Sequence, residues 1–134
     1  MKKIIYPILL ILLLISNTSA YADDCSNLNG TYRNAGLVIQ VELQNEMAKI
    51  TYYFEGMQGS SNSAEYVLDG KQHAGTSYIA GKEYAATCSD GVLTVQQSFG
   101  TWDEKLELRR SGSGLLYKRV VGSFVNSTLF LFRP

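Results

Sequence analysis

One histidine, one tryptophan, two prolines and two cysteines stand in a chain of 134 residues, and each scarcity closes a class of function. With His73 as the lone histidine there is no His-x-x-x-His pair, and neither a Cys-x-x-Cys pair nor a paired acidic loop takes its place. A metal site therefore has no ligand set to draw on. His73 with Asp69 and Glu83 is the one combination that could hold a cation, weakly. A polar residue flanking the Asp69-Gly70 turn accounts for it better, so the sequence predicts no metal. A serine or cysteine nucleophile would need His73 as its base, and no Gly-x-Ser-x-Gly elbow accompanies it. Asp103 and Glu104, adjacent in an extended strand, point to opposite faces, the wrong geometry for shared acid–base work. No glycine loop cradles a phosphate and no cofactor is implied. The expectation is a protein without enzymatic activity.

Long apolar runs are also scarce, and the single one is placed tellingly. Lys2-Lys3 lead into Ile4 to Ile15, closed by a polar stretch and then Ala20-Tyr21-Ala22. A charged start, an apolar middle and an A-x-A ending predict a cleavable secretory signal over residues 1–22. The run is shorter than the roughly 20 residues that a permanent span needs. A mature domain over 23–134 is then expected outside the cytoplasm, in a periplasm or secreted, with no membrane span. Loss of Lys2 and Lys3 from the twelve basic residues leaves ten against twelve acidic ones. No basic stripe marks a nucleic-acid partner.

In an oxidising compartment the two cysteines, Cys25 and Cys88, read as a disulfide. In the chain-entropy model a loop of that length stabilises by about 4 kcal/mol. A free or intermolecular thiol is one rival reading, and a lipid-modified Cys25 is another. The latter requires the cysteine directly after a small-residue cleavage box, and Asp23-Asp24 intervene.

The mature chain has period two, punctuated by Gly, Asn, Asp and Ser, which argues for short antiparallel strands joined by turns. With Asn45-Glu46 as a turn, Leu43 faces Ala48, Val41 faces Ile50, Ile39 faces Tyr52 and Leu37 faces Phe54. The opposite face then pairs Gln40 with Thr51 and Glu42 with Lys49, so one register sorts both faces. Glu46 is an awkward residue for the positive φ that a type I′ turn asks of it. Asp90-Gly91 predicts a second hairpin with Cys88 opposite Leu93 and Ala86 opposite Val95. Asp69-Gly70 and Ser111-Gly112-Ser113-Gly114 mark two more turns, the latter setting Leu108 against Tyr117. Residues 55–63 form the longest polar loop, with Met57 as its one apolar anchor. Leu129-Phe130-Leu131-Phe132 is apolar on both faces, which predicts a paired and covered last strand. Eight to ten short strands in an antiparallel meander are expected to close into a small barrel, with a β-sandwich as the alternative.

Aromatic residues are the most suggestive of a site. After the signal is removed, seven Tyr, five Phe and one Trp remain. Tyr52, Tyr66, Tyr84 and Trp102 fall on strand faces where some can point inward. An apolar body with a hydrogen-bonding tip suits a pocket with a few polar contacts, and it suits an ordinary core as well. Tyr84 shares its face with Gln97, making that pair the expected interior polar groups. Arg119, on the face of Tyr117, is either a buried cation awaiting an acidic ligand or a rim residue.

Cys25 to Asn34, with Gly30-Thr31-Tyr32 inside it, resembles the first strand of calycin-type barrels, where lipocalins and avidins carry Gly-x-aromatic. Some avidin-like proteins also join a cysteine before this strand to one in a later strand, a pairing that the resemblance implies for Cys25 and Cys88. The serine that touches biotin in the avidin pattern is not retained, since Asn34-Ala35-Gly36 leads to Leu37, so only the architecture is implied. Together with the aromatic and polar strand faces, that architecture predicts a lipocalin-like binding module for a small apolar or amphipathic ligand, with Tyr52, Tyr84, Gln97, Trp102 and Arg119 as ligand-binding candidates. Ser113-Gly114-Leu115-Leu116-Tyr117 is similar to the Ser-Gly-x-x-Tyr loop of periplasmic lysozyme inhibitors. It implies the alternative, a barrel that binds an extracytoplasmic protein through Ser113, Gly114 and Tyr117.

Overall fold

The computed structural model describes residues 23–122 and 125–132; the expected signal segment, 1–22, lies outside the described residues. The alternating segments form ten antiparallel strands: β1 (Gly30–Asn34), β2 (Leu37–Gln44), β3 (Met47–Phe54), β4 (Asn62–Val67), β5 (His73–Ala74), β6 (Glu83–Ser89), β7 (Val92–Ser98), β8 (Asp103–Ser111), β9 (Gly114–Val121) and β10 (Val125–Leu131). Strands β1 to β4 make one sheet in chain order, and β10 back to β5 make a six-stranded sheet, also in chain order. The protein is thus an all-β meander, as expected. The expected closure into one barrel is replaced by the alternative, two facing sheets. Among the described residues a single bridge, between Arg33 and Phe132, ties β1 to the end of β10. Across the other seam Gly70 N–H donates to Ala86 C=O at 2.9 Å, and no ladder runs from β4 to β6.

Local chemistry explains the hairpins. The β2–β3 register pairs Leu37 with Phe54, Ile39 with Tyr52, Val41 with Ile50 and Leu43 with Ala48, as the two-face sorting requires. Asn45 alone takes the left-handed backbone there, at φ 57°, and its side chain tolerates that region. Glu46 is spared it. Asp90 and Gly91 both have positive φ, 52° and 77°, the type I′ geometry that matches strand twist. Cys88 therefore faces Leu93, and Tyr84 faces Gln97. Leu108 faces Tyr117 as well.

The inward residues of both sheets make one core, in which Tyr32, Ile39, Ile50, Tyr66, Leu93, Leu106, Leu108 and Leu115 are almost wholly buried. A 3₁₀ turn over Asp23–Leu28 packs against β2, β6, β7 and β8. Cys25 within it is disulfide-bonded to Cys88, with Cα atoms 6.0 Å apart, and both are buried. Leu28 C=O accepts the buried Tyr32 hydroxyl at 2.8 Å. The last strand is paired with β9, with Leu131 buried and Phe132 exposed. Met57 does not anchor its loop, because its side chain stands in solvent. No helix among the described residues is long and apolar enough to cross a membrane.

Candidate binding cavity

Because successive strands alternate in direction, their turns fall at two ends. The disulfide and the 45–46, 90–91 and 112–113 turns share one end. Toward the other, the inward row of several strands stops being aliphatic. On β7 the series Leu93, Val95 ends in Gln97, and on β8 the series Leu108, Leu106 ends in Glu104. On β9 the inward row runs from Leu115 through Tyr117 to Arg119. Here the two sheets do not meet, and a cavity of about 680 Å³ opens between them. Leu37 and Ile39 from β2 and Tyr52 from β3 line the side of the four-stranded sheet, and Gln97, Glu104, Tyr117 and Arg119, with Leu129 of β10 paired to Tyr117, line the side of the six-stranded sheet. The rim is aromatic. Phe99 and Trp102 stack with centroids 5.1 Å apart, and Tyr78 and Ile79 of the 3₁₀ turn Tyr78–Ala80 also line the cavity.

The polar wall is one connected chain. Tyr66 hydroxyl donates to Gln97 Oε1 at 3.2 Å, and Gln97 Nε2 donates to Glu104 Oε2 at 2.6 Å. Glu104 Oε1 accepts Arg119 Nε at 2.6 Å and also binds its Nη2. The carboxylate fixes the amide orientation, since a flipped Gln97 would set oxygen against oxygen. Gln97 and Glu104 are 5% and 6% exposed, whereas the Arg119 side chain is 46% exposed, so the pair runs from interior to rim. Partial burial pulls the Arg119 pKa down, but the Glu104 hydrogen bond and charge outweigh it and the net shift is upward. Facing this chain, the Tyr52 and Tyr117 hydroxyls meet at 3.2 Å with their rings edge to face. Burial, and then the neighbouring phenol, pushes the Tyr52 pKa well up. Burial also raises that of Tyr117, although its hydrogen bond with Tyr52 works the other way. Both are neutral phenols at physiological pH.

Of the sequence candidates, Tyr52, Gln97, Trp102 and Arg119 come together around this cavity. Tyr84 does not: it lies in the core, edge-on to Tyr66, and its hydroxyl accepts Val67 N–H at 2.8 Å, bridging the seam between sheets. Trp102 lies in the turn before β8 rather than on a strand. Arg119 does not await an acid, because Glu104 supplies one. Ser113 is exposed at the β8–β9 turn, Gly114 is buried, and Tyr117 is turned into the cavity, so the three do not form one surface. His73 Nε2 lies 2.9 Å from Asp69 Oδ1 and its ring stacks on Tyr84. The Lys71 backbone N–H, and then His73, hold the Asp69 pKa below the usual carboxylate value. No group of three or more His, Cys, Asp or Glu able to hold a metal comes together among the described residues.

Sequence reasoning missed Glu104, and the signal was present. Glu104 is in phase with Leu106 and Leu108, a carboxylate written into an inward row. Ile79 and Tyr78 carried no comparable signal, because an irregular loop delivers them.

Fold and cavity together define an all-β protein of two facing antiparallel sheets with an apolar pocket open at one end. No protein-family model matches the chain, and no curated protein sequence does.

Proposed function

We propose that this protein is an exported, non-enzymatic binding module that holds a small apolar or amphipathic molecule in the cavity between its sheets. The observation that carries this reading is the cavity itself, about 680 Å³ with Leu37, Ile39, Ile79, Phe99 and Leu129 in its lining and a few convergent polar groups. Pockets of that size and lining bind small molecules by burying apolar ligand surface, and their few polar groups fix its orientation. The calycin-type resemblance supports the same reading. Export is supported by the pattern of residues 1–22 and by the Cys25–Cys88 disulfide, a bond at home in an oxidising compartment.

The test is a titration of the mature domain with the neutral apolar dye N-phenylnaphthylamine, read by dye fluorescence and by Trp102, the only tryptophan. Saturable one-site binding is expected, and Ile79→Arg at the mouth should abolish it without lowering the unfolding temperature by more than a few degrees. Absence of saturable binding to the wild type, or equal binding by the variant, refutes the reading.

A further inference from the structure

The polar wall has an imbalance that bears on which molecule fits. Resting on the cavity-binding reading, we propose that the ligand is a neutral apolar molecule carrying a carbonyl-type hydrogen-bond acceptor, such as an ester, lactone or ketone, and that anionic amphiphiles are disfavoured.

Two observations converge on this. The first is the inventory of unused hydrogen-bonding capacity. Glu104 Oε1 is taken by two nitrogens of Arg119 and Oε2 by Gln97, while Gln97 Oε1 is taken by Tyr66. Acceptors facing the cavity are thus largely occupied. The donors are not. Among the described residues, Nη1 of Arg119 has no hydrogen-bond partner, and neither has the second amide hydrogen of Gln97. One phenol of the Tyr52–Tyr117 pair donates to the other, which leaves one O–H to give. A wall with surplus donors selects a ligand that brings acceptors.

The second observation is charge. Among the described residues Glu104 and Arg119 are the only carboxylate and the only cation in the lining, and they neutralise each other. The phenols are uncharged. A carboxylate or phosphate head entering the cavity would lose its hydration, would gain no net countercharge and would approach Glu104. A carbonyl oxygen meets the same donors without that penalty. The aromatic rim suits the choice, because Phe99, Trp102 and Tyr78 offer flat apolar surface to a ring or chain that need not keep a charged head in water.

The experiment compares three probes of equal chain length, methyl decanoate, decanoate and decane, by quenching of Trp102 and by displacement of N-phenylnaphthylamine at neutral pH. Methyl decanoate should bind at least about tenfold more tightly than decanoate and several-fold more tightly than decane, the discrimination expected of one charge or one buried hydrogen bond. Glu104→Gln leaves Arg119 without its countercharge, and the preference should then swing toward decanoate by about tenfold. Decanoate equal to or better than the ester on the wild type overturns the inference and leaves the cavity-binding reading intact. Decane equal to the ester overturns it too. If the dye and all three probes fail to bind, the cavity-binding reading itself is refuted, and this inference with it.

Discussion

Gln97, Glu104 and Arg119 occupy inward positions that a few residues earlier or later on the same strands hold leucine or valine. An unpaired charge there would destabilise the fold by several kcal/mol, so the chain of hydrogen bonds from Tyr66 to Arg119 is what lets these residues stay. Their neighbours Tyr52, Tyr66 and Tyr117 have raised pKa values, with burial the largest cause in each. Above pH of about 10, where an unfolded tyrosine ionises, the folded state therefore holds more protons than the unfolded one. The stability these phenols contribute is complete below that pH and is lost as pH rises toward their folded values. A series of thermal melts at rising alkaline pH should show the unfolding temperature falling, with part of the tyrosinate absorbance appearing only as the protein unfolds. A flat unfolding temperature with Tyr52, Tyr66 and Tyr117 titrating freely would contradict the buried assignment. Residue-level reading of the sequence went far here. Tyr52, Gln97 and Arg119 were legible from alternation, and the inward position of Glu104 could have been read the same way, but its pairing with Arg119 could not. Glu104 and Arg119 meet diagonally across the β8–β9 ladder, and a local pattern does not display a diagonal.

At the scale of elements, the hairpins were legible to the residue because a one-residue slip would turn every apolar side chain outward. The segment from β5 to β6 was not. Its course depends on a close approach of two backbones: a Cβ added to Gly75 would stand 1.8 Å from the Gly81 carbonyl oxygen. Gly75 N–H also donates to Lys82 C=O at 2.9 Å. This crossing holds the Tyr78–Ala80 turn at the cavity rim. Gly75→Ala is expected to destabilise by roughly 1–3 kcal/mol and to weaken N-phenylnaphthylamine binding several-fold, measured by urea unfolding and dye titration. Gly59→Ala, where added bulk meets nothing within 4 Å, should shift stability by less than about 0.5 kcal/mol. Equal behaviour of the two variants would show that the crossing does not hold the rim.

For the whole molecule, the disulfide and the cavity lie at opposite ends. Cys25–Cys88 fastens the Asp23–Leu28 turn beneath the sheets and should not tune the pocket. Replacing both cysteines with alanine is expected to lower unfolding stability by about 4 kcal/mol, read from the denaturation midpoint, with dye affinity changed less than about threefold. An unchanged midpoint would show that the bridge adds nothing. A lost cavity would show that the ends are coupled. By itself the sequence determined most of the strands, the hairpin registers and the alternation of faces along them, because period-two alternation and turn chemistry act over a few neighbouring residues. Tertiary structure decided the rest. Whether the meander closes as one ladder or stands as two sheets depends on how strands far apart in sequence meet at the seams, which isolated links from Tyr84, Gly70 and Arg33 cross in place of a ladder. Whether inward aromatics fill the interior or line a cavity depends on the spacing between those sheets. Both are sums of long-range packing, which no local pattern encodes.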